Sequence, residues 1–288
     1  MNSLGTVSVG DSNPVRIMGI INTSPESFYK KSVLTDKKAI VKTAKQMEDD
    51  GADFIDIGGM STAPYLKTLI SENKEIERIT AAIETIQKVS RLSISVDTCR
   101  AGVAKAALKM GVEILNDISG LKYDKDMPHI LEEYRPSVIV CAFSNNLVTG
   151  NQVVKTKSLL KESVTIAKEA KIPNNKIVVD PAIGFFRKKS VSKFSTKIDS
   201  DWLKRDILVL QNLRFIKGGH PLLVSVSRKS LVGSLLNVSD PDKRLYGSLA
   251  AETICVLNGA DIIRTHNVKA TRDAIEIAQR LGNLRKGL

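Results

Sequence analysis

Short β-branched apolar runs alternate with longer amphipathic stretches along most of the chain. Five of the runs end in polar clusters, at residues 94–98, 113–117, 177–181, 223–230 and 262–266. A short apolar run bounded by turn residues is typical of a strand buried in a parallel sheet. The carboxyl ends of parallel strands form the edge where ligands bind in α/β folds. Five ends with complementary polar groups therefore predict a binding site at that edge.

The pattern predicts eight strands and eight helices in strict alternation. The strands are expected at residues 16–21, 53–57, 92–96, 113–115, 137–141, 176–179, 221–226 and 261–264. The helices are expected at residues 36–50, 73–90, 102–110, 126–134, 157–170, 201–216, 241–258 and 268–281. This order favours the α/β class and a single (β/α)8 TIM barrel at residues 16–288, after an N-terminal extension at residues 1–15. An open doubly wound sheet is the alternative, but its Gly-x-Gly-x-x-Gly fingerprint is missing after the first strand.

Two connections are longer than barrel geometry requires. They follow strands one and six, at residues 22–35 and 184–200. Both are expected at the edge that carries the polar clusters, where long loops commonly close over a substrate. The second loop is rich in Lys and Ser, and a tolerated insertion is an equally good interpretation of it.

Composition restricts the class of protein. Hydrophobic residues make up 42% of the chain, enough for a large core, and no apolar run approaches the roughly 20 residues that span a bilayer. We expect no signal peptide, and the unpaired spacing of Cys99, Cys141 and Cys255 predicts a reducing, cytoplasmic environment. The net charge of +12 is spread over helices, so we expect no nucleic-acid partner. A basic mouth that attracts a phosphorylated substrate explains the charge equally well.

Polar side chains that follow strands three, four and six suit a flat heterocycle. Asp97, Asn116 and Asp180 hold these positions, and a buried carboxylate needs nearby donors. The ring N–H and exocyclic amine of an aminopyrimidinone would supply two parallel donors to one carboxylate. Asn116 can donate and accept, and Lys229 can donate to a ring carbonyl or nitrogen.

A second group of side chains suits a diphosphate. Arg264 and His266 alternate along the end of the last strand, so both point the same way. Together with Asn22 at the end of strand one, they could bind a diphosphate through the arginine fork and the imidazole. The Asn22 amide could also bind a Mg²⁺ ion that bridges the phosphates.

Several segments resemble the dihydropteroate synthase family. Residues 18–28, Met-Gly-Ile-Ile-Asn-Thr-Ser-Pro-Glu-Ser-Phe, are similar to its opening signature, and residues 51–62 are similar to its second. The segments around Asp97, Asn116, Asp180, Lys229 and Arg264 match in order and spacing. The resemblance extends from about residue 16 to residue 281.

This resemblance implies a (β/α)8 barrel that joins a dihydropterin-CH₂ diphosphate to an arylamine and releases diphosphate. The residues that match the family's pterin-binding positions are Asp97, Asn116, Asp180 and Lys229. Those that match the diphosphate and Mg²⁺ positions are Asn22, Arg264 and His266. Those that match the arylamine positions are Ser61, Thr62, Phe185 and Ser230. Early departure of diphosphate would leave a pterin-methyl cation, which a fixed electrostatic site stabilises while the amine adds.

The chain departs from the family pattern mainly where the arylamine enters. The family's Glu-Ser-Thr-Arg-Pro is replaced by Met-Ser-Thr-Ala-Pro at residues 60–64. This pattern is similar to archaeal relatives, whose arylamine carries a phosphoribosyl-type group in place of a carboxylate. We hypothesise that Arg187, Lys188, Lys189 and Lys193 meet an additional phosphate. The cofactor pathway, folate or methanopterin-like, stays open.

Three alternatives remain from the sequence. A pterin-binding methyltransferase domain shares the barrel but does not need Ser-Arg-Lys-Ser at 227–230 or Arg-x-His at 264–266. A non-catalytic pterin binder would fit the missing loop arginine. A basic nucleic-acid-binding barrel has no supporting motif. The family resemblance also implies a homodimer formed through the late helices, although ordinary barrel packing explains their apolar residues equally well.

Overall fold

The computed structural model describes residues 1–10, 13–26, 29, 33–34, 36–65, 68–189 and 192–281. Its central sheet has eight parallel strands. They are β1 (Arg16–Asn22), β2 (Phe54–Gly58), β3 (Ser93–Asp97), β4 (Ile114–Asp117), β5 (Ser137–Cys141), β6 (Ile177–Asp180), β7 (Leu223–Val224) and β8 (Ile262–Thr265). The strand order is β7-β8-β1-β2-β3-β4-β5-β6, and a parallel bridge from Val179 to Leu222 closes the ring. The predicted (β/α)8 barrel is therefore confirmed.

Helices surround the barrel. They are α1 (Lys37–Asp49), α2 (Glu72–Gln87), α3 (Ala101–Lys109), α4 (Met127–Tyr134), α5 (Gln152–Glu169), α6 (Trp202–Gln211), α7 (Leu213–Ile216), α8 (Ser230–Leu236), α9 (Leu245–Leu257) and α10 (Val268–Leu281). Gly51, Gly111 and Gly259 follow α1, α3 and α9 with φ of 86°, 84° and 105°, as expected for left-handed residues that end helices. Among the described residues, none of these helices is both long and apolar enough to cross a membrane.

The single helix predicted at residues 201–216 is two helices in the structure. Asn212 separates α6 from α7 with φ of −118°, and its side-chain amide donates to the Leu208 carbonyl at 2.7 Å. That bond occupies the acceptor that a continuous helix would offer to the Asn212 backbone. The side chain thus competes with the helix ladder, as Asn often does.

Other predicted element bounds also need correction. Helix α5 begins five residues earlier than predicted, because Asn151 caps it by accepting from the Val153 and Val154 amides. Strand β7 is shorter than the predicted 221–226, and residues 241–244 form a 3₁₀ turn before α9. Helix α8 was not predicted. It begins directly after Lys229 without a side-chain cap, so the usual start signal is missing.

The inside of the barrel has an apolar floor below a polar layer. The floor residues come from seven strands and are Met18, Phe54, Ile114, Ile139, Val178, Leu223 and Ile262. Two positions further along the same strands are Ile20, Asp56, Asn116, Cys141, Asp180, Ser225 and Arg264. Side chains on a strand alternate between its faces, so both sets point inward. The polar layer thus lies nearer the carboxyl ends of the strands.

The first residues of the chain close the amino-terminal end of the barrel. Ser3–Leu4 and Val7–Ser8 form a short antiparallel hairpin. Leu4 and Val9 join the apolar floor, and the Gly5 amide donates to Ser137 Oγ at 3.0 Å. Water is therefore excluded from below, and the opposite end is left as the ligand entrance.

The two long loops lie at that opposite end. In the loop after β6, Phe186–Arg187 pairs in parallel with Thr196–Lys197. In the loop after β1, Asn22 forms a parallel bridge with Val33. Parts of both predicted loops, at residues 27–28, 30–32, 35 and 190–191, lie outside the described residues.

Candidate functional site

A pocket opens at the carboxyl ends of the strands. Nine side chains singled out from the sequence line it: Asn22, Ser61, Thr62, Asp97, Phe185, Lys229, Ser230, Arg264 and His266. Asn116 and Asp180 are buried beside it in the polar layer. The barrel thus brings together residues that are up to 244 positions apart in the chain, from Asn22 to His266.

Arg264 lies between two carboxylates at the base of this pocket. Its Nε donates to Asp56 Oδ2 at 2.6 Å, and its terminal nitrogen donates to Asp97 Oδ2 at 2.9 Å. The Asn116 amide donates to the same Asp56 oxygen at 3.2 Å. The guanidinium predicted to bind diphosphate is therefore engaged with acids, and it is linked directly to Asp97 and through Asp56 to Asn116.

The two carboxylates leave acceptor capacity for a ligand. Burial raises the pKa of Asp97 and the nearby Asp56 carboxylate contributes to the rise, while the charge of Arg264 opposes it. Asp56 is fully buried, and its Oδ1 has no hydrogen-bond partner within the described part of the chain. Ser95 Oγ, on the neighbouring strand β3, is also buried and has no hydrogen-bond partner among the described residues. Buried orphan acceptors are costly, so a ligand with adjacent N–H donors would stabilise this layer.

Asp180 and Lys229 form the opposite wall of the polar layer. Asp180 Oδ1 accepts from the Ala182 amide at 2.7 Å, and Lys229 Nζ donates to the Ile183 carbonyl at 2.8 Å. Burial raises the pKa of Asp180, while the Lys229 charge opposes this rise. Burial likewise lowers the pKa of Lys229 to about 8, against the attraction of Asp180. Both groups can therefore exchange protein contacts for hydrogen bonds to a polar ring.

A buried ion pair on α6 holds the loop that follows Asp180. Arg205 donates to Asp206 Oδ1 and to the Pro181 carbonyl, both at 2.8 Å, and Asp206 Oδ2 accepts from the Gly184 amide at 2.9 Å. Neither side chain is exposed to solvent. The pair thus fixes both ends of residues 181–184, which carry the partners of Asp180 and Lys229.

His266 faces the pocket as a neutral imidazole. Burial lowers its pKa to about 3, and the positive charges of Arg264, Arg228 and Lys229 add to this effect. Its Nδ1 lies 3.2 Å from Ser227 Oγ. The Tyr29 ring packs edge-on at 5.1 Å between ring centroids, and the Arg228 guanidinium lies 4.6 Å from the Tyr29 ring centroid. The pocket mouth is therefore cationic, but His266 can contribute only a neutral donor or acceptor.

The predicted arylamine residues lie at the outer end of the pocket. Ser61, Thr62, Phe185 and Ser230 line it together with Tyr65. Arg187 lies behind these residues and is not part of the described pocket lining. It donates to Ser230 Oγ at 2.8 Å and stacks on Trp202, with its guanidinium carbon 4.0 Å from the ring centroid.

The lysines predicted to join Arg187 are placed differently. Lys188, Lys189 and Lys193 are exposed, and none belongs to the described lining of the pocket. Arg187 itself is only 8% exposed. A shared phosphate site for the four residues is therefore not preformed.

Asn22 is the residue from which the sequence predicts a Mg²⁺ site. Its amide offers the hard oxygen that Mg²⁺ prefers. Within the described ranges there is no cluster of three or more His, Cys, Asp or Glu side chains able to hold a metal. An ion at Asn22 would have to bind mainly through substrate phosphates.

Sequence reasoning missed three groups of residues in this region. Asp56 was passed over although it alternates with Phe54 on an inward-facing strand, and that spacing could have identified it. Ser95 carries the same signal on β3. The pair on α6 gives no local signal, because Arg205 and Asp206 look like ordinary residues of a solvated helix.

These observations define a class of protein: a (β/α)8 barrel whose inner polar layer suits a flat polar heterocycle and whose mouth suits an anion. Residues 18–266 match the family described as "Pterin binding enzyme". The chain belongs to this family.

Individual relatives agree with this assignment. The dihydropteroate synthase of Clostridium beijerinckii is 34% identical over 254 residues, which cover 88% of both chains. The Coxiella burnetii dihydropteroate synthase in complex with pteroic acid superposes with a TM-score of 0.81 at 34% identity, covering 93% of this chain and 94% of that one. The Xanthomonas albilineans enzyme with 4-aminobenzoic acid gives a TM-score of 0.82 at 27% identity, covering 95% of this chain and 98% of that one.

Proposed function

We propose that the protein is a dihydropteroate synthase, which condenses a 6-hydroxymethyl-dihydropterin diphosphate with p-aminobenzoate and releases diphosphate. The observation that carries this proposal is the buried polar layer of the barrel, in which one Asp56 oxygen beside Asp97 and Asn116 has no partner among the described residues. The family match and the relatives' names support the same conclusion.

The polar layer suits the pterin ring. Asp180 lies opposite Asp97 across the barrel and can accept the ring N–H and the exocyclic amine, while Lys229 donates to the ring carbonyl or nitrogen. Asn116 can bond the remaining ring edge. The α6 ion pair holds the loop at Pro181 and Gly184, so these groups need little reorganisation when the ring binds.

The cationic mouth suits the diphosphate. His266 and the backbone around Asn22 lie at the ends of neighbouring strands, and Arg264 lies just below them. We propose that Asn22 also holds a Mg²⁺ ion that arrives with the diphosphate. When bound, that ion would neutralise charge on the leaving group. The acids around Arg264 remain close enough to stabilise positive charge that develops on the pterin methyl carbon.

The outer pocket suits p-aminobenzoate. Its ring can pack on Phe185, and its carboxylate can reach Ser230, whose hydroxyl is held by the Arg187 guanidinium. The alternative, an archaeal-type branch that uses a phosphoribosyl-type amine, rests on Arg187 and its neighbouring lysines. A direct competition between p-aminobenzoate and a ribofuranosyl-aminobenzene phosphate decides between them. Preferential turnover of the phosphorylated amine would overturn our choice.

The activity is tested by incubating the purified protein with dihydropterin diphosphate, p-aminobenzoate and Mg²⁺. We expect dihydropteroate and diphosphate in equal amounts. Asp180→Asn should abolish calorimetric binding of dihydropterin diphosphate, because the amide cannot accept from both ring donors. Asp126→Asn is the matched control, since Asp126 is exposed and its side chain makes no capping bond. Binding without any turnover would favour the non-catalytic pterin binder.

We further propose that the protein acts as a homodimer through its late helices. Ile254 on α9 and Ile277 on α10 are 52% and 57% exposed, and Leu281 is 83% exposed. An apolar face of this kind is usually covered in an assembly. Light scattering should give twice the chain mass, and Ile277→Lys should shift the protein toward the monomer.

A reducing cytoplasm fits the three free, buried cysteines.

A further inference from the structure

A chain of buried hydroxyl groups joins Glu252 on α9 to the imidazole of His266. Thr271 Oγ1 lies 2.8 Å from Glu252 Oε2 and 3.0 Å from Thr265 Oγ1. Thr265 Oγ1 lies 3.3 Å from Ser227 Oγ, and Ser227 Oγ lies 3.2 Å from His266 Nδ1. Apart from His266, every member of this hydroxyl chain is at most 1% exposed. Water therefore does not interrupt it.

Counting protons shows that the two ends of the chain are coupled. The four contacts need four protons, and the three hydroxyls supply only three. The fourth proton can come from Glu252, in which case every donor points toward His266 and Nδ1 accepts. It can instead come from His266 Nδ1, in which case the donors point toward an ionised Glu252. Any other arrangement leaves one buried contact without a proton, which is costly.

The two arrangements give His266 Nε2 opposite hydrogen-bonding roles toward the pocket. When Nδ1 accepts, the proton of the neutral ring is on Nε2, and the pocket meets a hydrogen-bond donor. When Nδ1 carries the proton, Nε2 is an acceptor. The change is balanced: Glu252 gives its proton to Thr271 and ends ionised, each hydroxyl passes its proton one step toward His266 so that Nδ1 is protonated, and Nε2 releases one proton to water.

We propose that Glu252 is a positioning residue that sets the tautomer of His266 through this hydroxyl chain, and so decides whether the imidazole offers a leaving diphosphate a donor or an acceptor. This inference rests on the proposed function, because it takes diphosphate as the ligand at the mouth. Only the donor form stabilises negative charge on the leaving group.

The surroundings of Glu252 place its ionisation in the working range. Burial raises its pKa to about 7, while the hydroxyls of Thr271 on α10 and Thr265 on β8 oppose the rise. The Arg228 guanidinium, from the loop before α8, also favours the ionised form. On α9 itself, the neighbouring Cys255 thiol has its pKa raised by burial and by Glu252, so it stays neutral.

The first test is the pH profile of kcat/KM for dihydropterin diphosphate, compared between the wild type and Glu252→Gln. The wild-type value should fall about tenfold for each pH unit above the midpoint, as the donor form is depleted. Gln cannot titrate, so its profile should vary less than about twofold after correction for the substrate's own ionisation. Thr271→Val, which breaks the chain, should also flatten the profile. A Glu252→Gln profile with the wild-type midpoint would overturn the proposal.

The second test reads the tautomer directly by ¹⁵N NMR of labelled histidine. The chain has only three histidines, and comparison with His266→Gln assigns the relevant signal. In the wild type, the proton should move from Nε2 to Nδ1 with rising pH while the ring stays neutral. In Glu252→Gln the tautomer should not change, and a wild-type tautomer that ignores pH would refute the coupling. This readout needs no turnover, so a protein that never forms dihydropteroate would contradict the proposed function alone.

Discussion

Replacing Glu252 by Gln is expected to make the stability of the protein less dependent on pH. The carboxyl is 1% exposed, and burial raises its pKa from 4.5 to about 7. The folded protein therefore holds this proton more tightly than the unfolded chain does. The resulting stabilisation is complete below about pH 4.5 and is lost as the pH rises through about 7.

The size of the effect follows from the two pKa values. A difference of about 2.5 between them corresponds to roughly 3 kcal/mol in the free energy of unfolding. Most of this loss, about 2 to 3 kcal/mol, falls between pH 5 and pH 8. It is a large share of the stability of a typical domain, which is about 5 to 15 kcal/mol. Gln keeps the shape of the side chain but removes the titration.

The assay is urea unfolding of both proteins at several values from pH 5 to pH 8. The stability of Glu252→Gln relative to the wild type should increase by about 2 to 3 kcal/mol across this range. Other buried groups, such as His266, with its lowered pKa, are present in both proteins and cancel in the difference. Glu169→Gln, at an exposed position, is the control and should stay parallel to the wild type. Parallel curves for Glu252→Gln would refute the reasoning.

Three further predictions concern the site and its support. Arg205→Met leaves the buried Asp206 charge unpaired and should lower the free energy of unfolding by about 3 to 5 kcal/mol in urea titrations. The double variant Arg205→Met with Asp206→Leu should recover most of this loss. A loss below about 1 kcal/mol in the single variant would mean that the pair does not hold the loop. Pterin affinity measured by calorimetry should weaken as the pH rises through about 8, because Lys229 loses its charge there, and a flat profile would contradict a donor role for this lysine. Arg187→Ala should raise KM for p-aminobenzoate about tenfold without changing pterin binding, because Ser230 loses its charged partner. If the variant changes pterin binding instead, Arg187 supports the pterin site and not the p-aminobenzoate site.

The sequence predicts the barrel well because each strand is a short β-branched run with a turn signal on either side. β5 matches its predicted bounds, and the other strands differ mainly at their ends. The failures have local causes. The side chain of Asn212 interrupts a helix whose apolar pattern continues, and α8 starts without a cap. Neither the competing side-chain bond nor the missing cap alters the hydrophobic periodicity.

The candidate site is predicted less completely than the fold. Asp97, Asn116 and Asp180 follow strand ends, so topology alone brings them together. Their partners cannot be deduced in the same way, because Arg264 was expected to meet phosphates and is instead bonded to Asp56 and Asp97. The choice between an anion and a neighbouring acid depends on distances of a few ångströms, which spacing along the chain does not define.

The apolar floor and the polar layer occupy successive inward-facing positions on the same strands. Evolution, or a protein engineer, can therefore change one set while leaving the other intact. A library that randomises upper positions outside the buried ion pairs, such as 116 and 225, would keep the hydrophobic plug of Met18, Phe54 and their neighbours. The residues that select the ligand are thus separate from those that stabilise the fold, and new ligand preferences could arise here without a large loss of expression.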